Sequence, residues 1–235
     1  MSGELTDLGP SRVLLDDDEI HPTLTPRDAA SLILIDRSRG QPRVLVGKRA
    51  RAHVFMPDLY VFPGGRRDPG DGRRAVAAPL KAPVLERLMA RTTSRFLPST
   101  ARALAVAAAR ELEEEVALSL NPSHEVSGFR PDLSQLRYVA RATTPPGRNR
   151  RYDTRFFACF TDEVAADCDA ARASEELIDL FWLPLDRLDA VPLPPITETI
   201  LDDLCRSLAA DPNLPFGAPV PYYYTRNNRS LREII

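Results

Sequence analysis

The sequence predicts an α/β fold: an α/β sandwich with helices packed on a mixed sheet. Three observations carry this. Short apolar runs, Ala30–Asp36 and Arg43–Arg49, flank a turn-rich SRGQP and suit a buried hairpin. A long Ala-rich stretch, Ala101–Leu118, has high intrinsic helix propensity. Ile196–Ala210 reads as an amphipathic final helix, so strands and helices alternate rather than segregate.

Composition excludes several classes. The 235 residues are 43% hydrophobic and 27% charged, a globular balance that argues against wholesale disorder. The net charge of −2 does not describe a nucleic-acid-binding surface. No apolar run reaches the roughly 18 residues of a membrane span. The start, MSGELTDLGPSRVLLDDDEI, lacks the basic onset and apolar core of a signal peptide, so a cytoplasmic location is expected. Three dispersed cysteines, Cys159, Cys168 and Cys205, predict free thiols rather than a disulfide framework or a structural zinc site.

Residues 1–27 read as an N-terminal extension with little structure of its own, save a short strand near Val13–Leu15. The main domain covers 28–210. Phe55–Phe62 is extended and ends in Pro63-Gly64-Gly65, where two glycines allow positive φ or close backbone approach. Residues 66–83 form a polar loop, and Val84–Phe96 has helical spacing. Ser99 or Thr100 offers an N-cap for the long helix. Leu136–Thr143 and Thr154–Thr161 read as strands about a basic turn, Pro145–Arg151. Leu180–Leu183 is a short strand whose Trp182 suits the core. Residues 211–235 are a Pro-rich, aromatic C-terminal tail.

The chemistry lies in Arg110-Glu111-Leu112-Glu113-Glu114-Glu115. At 100° per residue, Glu111, Glu114 and Glu115 share an arc of about 100° beside the apolar stripe, while Glu113 points elsewhere. Three clustered carboxylates repel one another, and a hard divalent cation removes that penalty. A solvated acidic face is the alternative, and the helix alone leaves both open.

Gly64-Gly65-Arg66-Arg67-Asp68-Pro69-Gly70-Asp71, together with Arg110–Leu118, resembles a split Nudix box, G-x5-E-x7-R-E-U-x-E-E-x-G-U. Gly65, Arg110, Glu111, Leu112, Glu114, Glu115 and Leu118 match. Asp71 stands where the family has Glu, one methylene shorter, so its contacts should reach further or pass through water. Ala117 replaces a glycine. Asp71 and Arg110 have 38 residues between them where the family has seven, an insertion of 31. The insertion, about 72–98, should leave and re-enter without separating the two halves. Interrupted boxes, with Phe55-Met56-Pro57 and Arg151-Tyr152-Asp153-Thr154, resemble the coenzyme A diphosphatase-like subgroup.

The resemblance implies a Nudix-type α/β/α sandwich with a helical insertion inside the box. It further implies a Mg²⁺- or Mn²⁺-dependent hydrolase that cleaves the diphosphate of a nucleoside diphosphate derivative. Coenzyme A or an acyl-CoA is the first substrate expected, ADP-ribose or a dinucleotide the alternative. A catalytically inactive nucleotide-sensing module is the alternative of another class. By carry-over Glu111, Glu114 and Glu115 bind metal, with Glu115 and Arg110 catalytic and Gly64 and Gly65 shaping the substrate loop. Glu176 is the candidate base, ahead of Glu175. Arg49 and Arg51, beside Lys48, are candidates for substrate phosphates. Arg148, Arg150, Arg151 and Arg155 read either as a basic loop or as part of the site. His53 reads as structural. Tyr222, Tyr223 and Tyr224 could cover the site, pack on a second subunit or stack on a base. The sequence leaves the oligomeric state open, the resemblance allowing a homodimer, and neither nucleic acid nor membrane is expected as a partner.

Overall fold

The structure, a computed structural model, describes residues 4–10, 24–50, 58–121, 128–164 and 166–235. The expected strand near Val13–Leu15, His53 and the Phe55-Met56-Pro57 motif lie outside them. No helix among the described residues is long and apolar enough to cross a membrane. The three cysteines are free, with Cys159 buried.

Two apolar faces on each central strand make the sandwich. Strand β2 (Arg27–Asp36) sends Leu32 and Leu34 toward one helix layer and Ile33 and Ile35 toward the other. Strand β3 (Arg43–Arg49) divides Leu45 from Val44 and Val46 in the same way. Burial on both faces is why these runs are continuously apolar instead of alternating. One layer is helix α2 (Pro98–Val116) with the shorter α1 (Ala82–Met89); the other is α3 (Pro195–Ala210), which contributes Ile200, Leu201 and Leu204.

The sheet is mixed, as expected. β2 pairs antiparallel with β3 only at Ile35↔Val44 and Asp36↔Arg43. Along its other edge β2 runs parallel to β7 (Tyr152–Phe160) from Arg27↔Tyr152 to Ile35↔Phe160. Where β3 diverges, the short β5 (Gly64–Arg66) takes the vacated edge, with Ala30↔Gly65 and Ser31↔Gly64. β3 instead pairs with β4 (Tyr60–Val61) and β8 (Leu177–Pro184). β8 is longer than Leu180–Leu183 because the left-handed Asp179, at φ 52°, forms a bulge that hides its periodicity. Trp182 on β8 is half-buried, not a full core residue, and lies under the Arg43 guanidinium. β6 (Arg137–Thr143) lies on the far side of β7.

Both chain ends differ from the reading of an extension and a tail. β9 (Pro221–Arg226) and β10 (Arg229–Ile234) form a hairpin that joins the sheet beside β6. Its turn is Asn227-Asn228, both at positive φ, the two-residue geometry that matches strand twist. β1 (Leu5–Pro10), within the presumed extension, pairs with β10. These edge strands carry prolines and polar residues, so they lack the apolar signal of the centre. Tyr222, Tyr223 and Tyr224 belong to β9: Tyr222 and Tyr224 stack at 4.7 Å, and the Tyr223 hydroxyl donates to Asp203. They pack within the chain and do not line the cleft over Gly64 and Gly65.

Helix ends also moved. α1 stops at Met89 rather than Phe96, because Ala90 is extended and Arg91 left-handed, and the Arg91 carbonyl accepts from Arg141. α2 starts with Pro98 as its first residue and Leu97 at the N-cap; Ser99 and Thr100 lie inside the first turn. It ends at Ala117, which is left-handed at φ 59°. A side chain there costs about 1 kcal/mol, so Ala117→Gly should stabilise the protein by roughly that amount. Thermal unfolding should show a rise of about 2–4 °C; a fall would refute the assignment of strain.

Candidate active site

Six alanines between Ala101 and Ala109, interrupted only by Arg102, Leu104 and Val106, let α2 lie close to the sheet and α1. This close seat brings the carboxylate end of α2 down onto β5. Gly64 and Gly65 do not use positive φ. They are required by proximity. A Cβ on Gly65 would lie 2.2 Å from a Glu111 carboxylate oxygen, and one on Gly64 would meet Ser31 and the Ala30 carbonyl at 2.6–2.7 Å.

The two halves of the box therefore meet. The Gly64 amide donates to Glu115 Oε2 at 2.7 Å, and Arg110 Nη2 donates to the Arg66 carbonyl at 3.0 Å. Asp71 is fully buried; it accepts from Arg110 Nε at 3.2 Å and from the Asp68 amide at 2.7 Å. Of the two expectations for the shorter side chain, a further reach or a bridging water, the contacts are direct. Arg110 Nη1 also reaches Glu111 at 2.9 Å and Glu114 at 2.7 Å. Arg110 is the hub that ties loop, strand and helix together. Burial alone would lower its pKa, but Glu111, Asp71 and Glu114 outweigh this and raise it.

The inserted segment turns through a 3-10 segment at Asp71–Arg73, forms α1 and returns into α2. On the way it braces the C-terminal part of the chain: Arg87 donates to the Gly217 carbonyl, and Arg91 pairs with Glu233.

The helix carboxylates are not equivalent. Glu115 is 6% exposed; burial raises its pKa to about 8, against the Gly64 amide, and the Glu111 charge adds to the rise. Burial raises Glu111 as well, offset in part by Arg110. Glu114 has an exposed side chain and turns to Arg110. Glu113 points away and accepts from Ser119 at 3.1 Å, as the helical phase requires.

A cleft of about 480 Å³ opens over this surface, lined by Gly64, Gly65, Arg110, Glu111, Glu114 and Glu115 from one side. Arg49, Glu176 and Arg150 line it from others. Glu176 is close enough to raise the pKa of both Glu111 and Glu115, and the positive Arg49 lowers that of Glu115. Glu175 and Lys48 do not line the cleft; Lys48 is 3.7 Å from Asp58. Arg51 lies outside the described residues. The basic group divides: Arg155 is buried and paired with Asp28 and Asp153, Arg151 binds the Thr144 and Leu24 carbonyls, and Arg150 reaches the cleft.

Among the described residues, no three acidic, His or Cys groups already stand in metal-ligand geometry. The donor set nevertheless fits a hard cation. Glu115 uses one carboxylate oxygen on Gly64, and Glu111 faces the glycine strand; burial disfavours the charged form of both, a cost that a hard cation would offset. Residues missed by the sequence reading include Ser31, Thr154 and Tyr152, which line the cleft from β2 and β7. Only the register of two strands distant in sequence brings them there.

An α/β/α sandwich with a glycine strand beneath a carboxylate helix is the Nudix architecture, and the comparisons agree. Residues 100–204 match the family model of the NUDIX domain. A NUDIX hydrolase from Alicyclobacillus acidocaldarius is similar at 27% identity and a TM-score of 0.57, over 82% of this chain and 95% of that one. RenU, a Nudix hydrolase from M. smegmatis, is 19% identical with a TM-score of 0.46, over 79% and 88%. The NUDIX domain of Shewanella oneidensis NrtR, in complex with ADP ribose, is 15% identical with a TM-score of 0.49, over 83% and 96%. No curated protein matches the chain by sequence. The NUDIX-domain match over residues 100–204 and the likeness to a NUDIX hydrolase support a hydrolase acting on pyrophosphate bonds.

Proposed function

We propose that the protein hydrolyses the diphosphate linkage of a nucleoside diphosphate derivative with Mg²⁺ or Mn²⁺, coenzyme A or an acyl-CoA being the first candidate and ADP-ribose or a dinucleotide the alternative. The carrying observation is the cleft in which Glu111 and Glu115 face Gly64–Gly65, with Glu176 and two arginines around them. Glu111 and Glu115, with Glu114 once released from Arg110, would hold the cation. When bound, that cation supplies charge neutralisation for the diphosphate and lowers the pKa of water for attack on phosphorus.

The chain's own groups do the rest. Arg110 holds Glu111 and the Arg66 carbonyl in place, so helix and glycine strand keep their spacing. Glu176 sits across the cleft and takes the proton of the attacking water. Arg49 and Arg150 meet phosphate oxygens with fork-shaped donors.

The test is a substrate panel of coenzyme A, ADP-ribose, NADH, capped RNA and dinucleoside polyphosphates, with each cation and with excess chelator. Chelation should abolish turnover, and Mg²⁺ or Mn²⁺ should restore it. Full activity in chelator would overturn the metal assignment. Binding of nucleotides without turnover of any would favour the sensing module. Glu113→Gln should change kcat by less than about threefold, under roughly 1 kcal/mol, since its carboxylate faces Ser119.

A further inference from the structure

Beside the cleft lies a second cavity of about 450 Å³, and its lining is one-sided in charge. Arg27, Arg66, Arg150 and Arg151 border it, with no carboxylate. Arg66, Arg150 and Tyr152 line both cavities, so the two adjoin. Arg151 is committed to the Thr144 and Leu24 carbonyls. Among the described residues, Arg27, Arg66 and Arg150 pair with no carboxylate. The nearby Asp28 is already engaged by Arg67 and Arg155. Three positive groups around one hollow repel each other unless an anion lies between them.

Strand register aims the hollow at the substrate. Ser31 and Ala29 line the cleft, and Arg27 is the next residue on that face of β2. On β7, Phe156, Thr154 and Tyr152 line the cleft, and Arg150, in the loop just before the strand, borders both the cleft and the hollow. Two adjacent rows therefore run from the glycine strand, where Ser31 pairs with Gly64, to the arginines. At about 3.3 Å per residue, Ser31 and Arg27 are roughly 13 Å apart, a nucleoside-sized step that the long arginine side chains shorten.

We propose that this arginine-lined annex is an anion subsite that holds a phosphomonoester carried by the substrate outside the diphosphate that is cleaved. It rests on the hydrolase reading above and narrows the substrate to nucleotides with such a third phosphate. The exposed guanidinium groups make its contribution sensitive to salt.

Two measurements decide it. The first compares kcat/KM for matched pairs that differ only in the phosphomonoester: coenzyme A with its 3′-dephospho form, and NADPH with NADH. The phosphorylated member of at least one pair should be favoured at least tenfold, through KM, and Arg27→Gln should cut that preference at least fivefold. The second needs no turnover: Kd for adenosine 3′,5′-bisphosphate and adenosine 2′,5′-bisphosphate against adenosine 5′-monophosphate, by calorimetry at low and high salt. A bisphosphate should bind at least tenfold more tightly, with the advantage reduced in Arg27→Gln and at high salt. Hydrolysis of both members of each pair at equal kcat/KM, with equal Kd values, would overturn the subsite and leave the hydrolase reading intact. Tighter bisphosphate binding without hydrolysis of any diphosphate would keep the subsite and remove the hydrolase reading. A preference that survives Arg27→Gln unchanged would also overturn the assignment.

Discussion

Glu115→Gln should lower kcat by 10²-fold or more, on the order of 2.7 kcal/mol in the barrier, while leaving the protein folded. Glutamine keeps the length of the side chain and an oxygen that can accept from the Gly64 amide at the observed 2.7 Å. It removes only the charge that a cation needs. The same substitution should change the pH dependence of the metal-free protein. Burial holds Glu115 near pKa 8 in the folded state, against an ordinary value of 4.5. Between those values the native state binds more protons than the unfolded chain, so stability falls as pH rises through this window. The Glu115 contribution approaches about 1.4 kcal/mol per pH unit at most. Glu111, raised in the same direction, adds to it. Melting temperatures of the metal-free protein at pH 5.5 and 8 should therefore differ more in the wild type than in Glu115→Gln, and Mg²⁺ should raise the wild-type value most at pH 8. A variant that retains full turnover would remove Glu115 from the metal site. Equal pH slopes would show that its carboxylate is not held protonated by burial.

Arg110→Met should produce the largest loss of stability. Arg110 is 5% exposed, and its guanidinium meets Asp71, which is fully buried, besides Glu111, Glu114 and the Arg66 carbonyl. Methionine fills much of the space but strands a buried carboxylate, a change that typically costs 3–5 kcal/mol. The lower end, about 3 kcal/mol, is expected, because the Asp68 amide still donates to Asp71 and Arg74 remains 3.5 Å away. Urea unfolding gives the value. Adding Asp71→Asn should recover part of the loss, since the neutral amide no longer needs a counter-charge. If Arg110→Met costs less than about 1 kcal/mol, the hub is not what joins the halves of the box. If Asp71→Asn makes the double variant worse by its full single-mutant cost, the two residues are not coupled.

The chain itself determined the central strands, the long helix and the phase of its carboxylates. Continuous apolar runs such as ASLILID specify a strand buried on both faces. One hundred degrees per residue is enough to separate Glu113 from Glu111, Glu114 and Glu115. The two halves of the box were legible too, because their residue types are unusual together even with 38 residues between them. Local chemistry did not reveal the edge strands β1, β9 and β10, whose polar and proline-rich residues are held by pairing with one another and with β6. Nor did it reveal that Glu114 would turn outward to Arg110 while Glu115 is buried on Gly64, since both lie on the same helical arc. That difference is set by how closely an alanine-rich helix seats on a glycine strand. The arginine annex is a product of tertiary structure alone: Arg27, Arg66 and Arg150 stand on three segments, and only the register of β2 with β5 and β7 sets them around one hollow. Sequence encodes residue type and local periodicity, whereas strand register and helix seating depend on contacts between segments far apart in the chain.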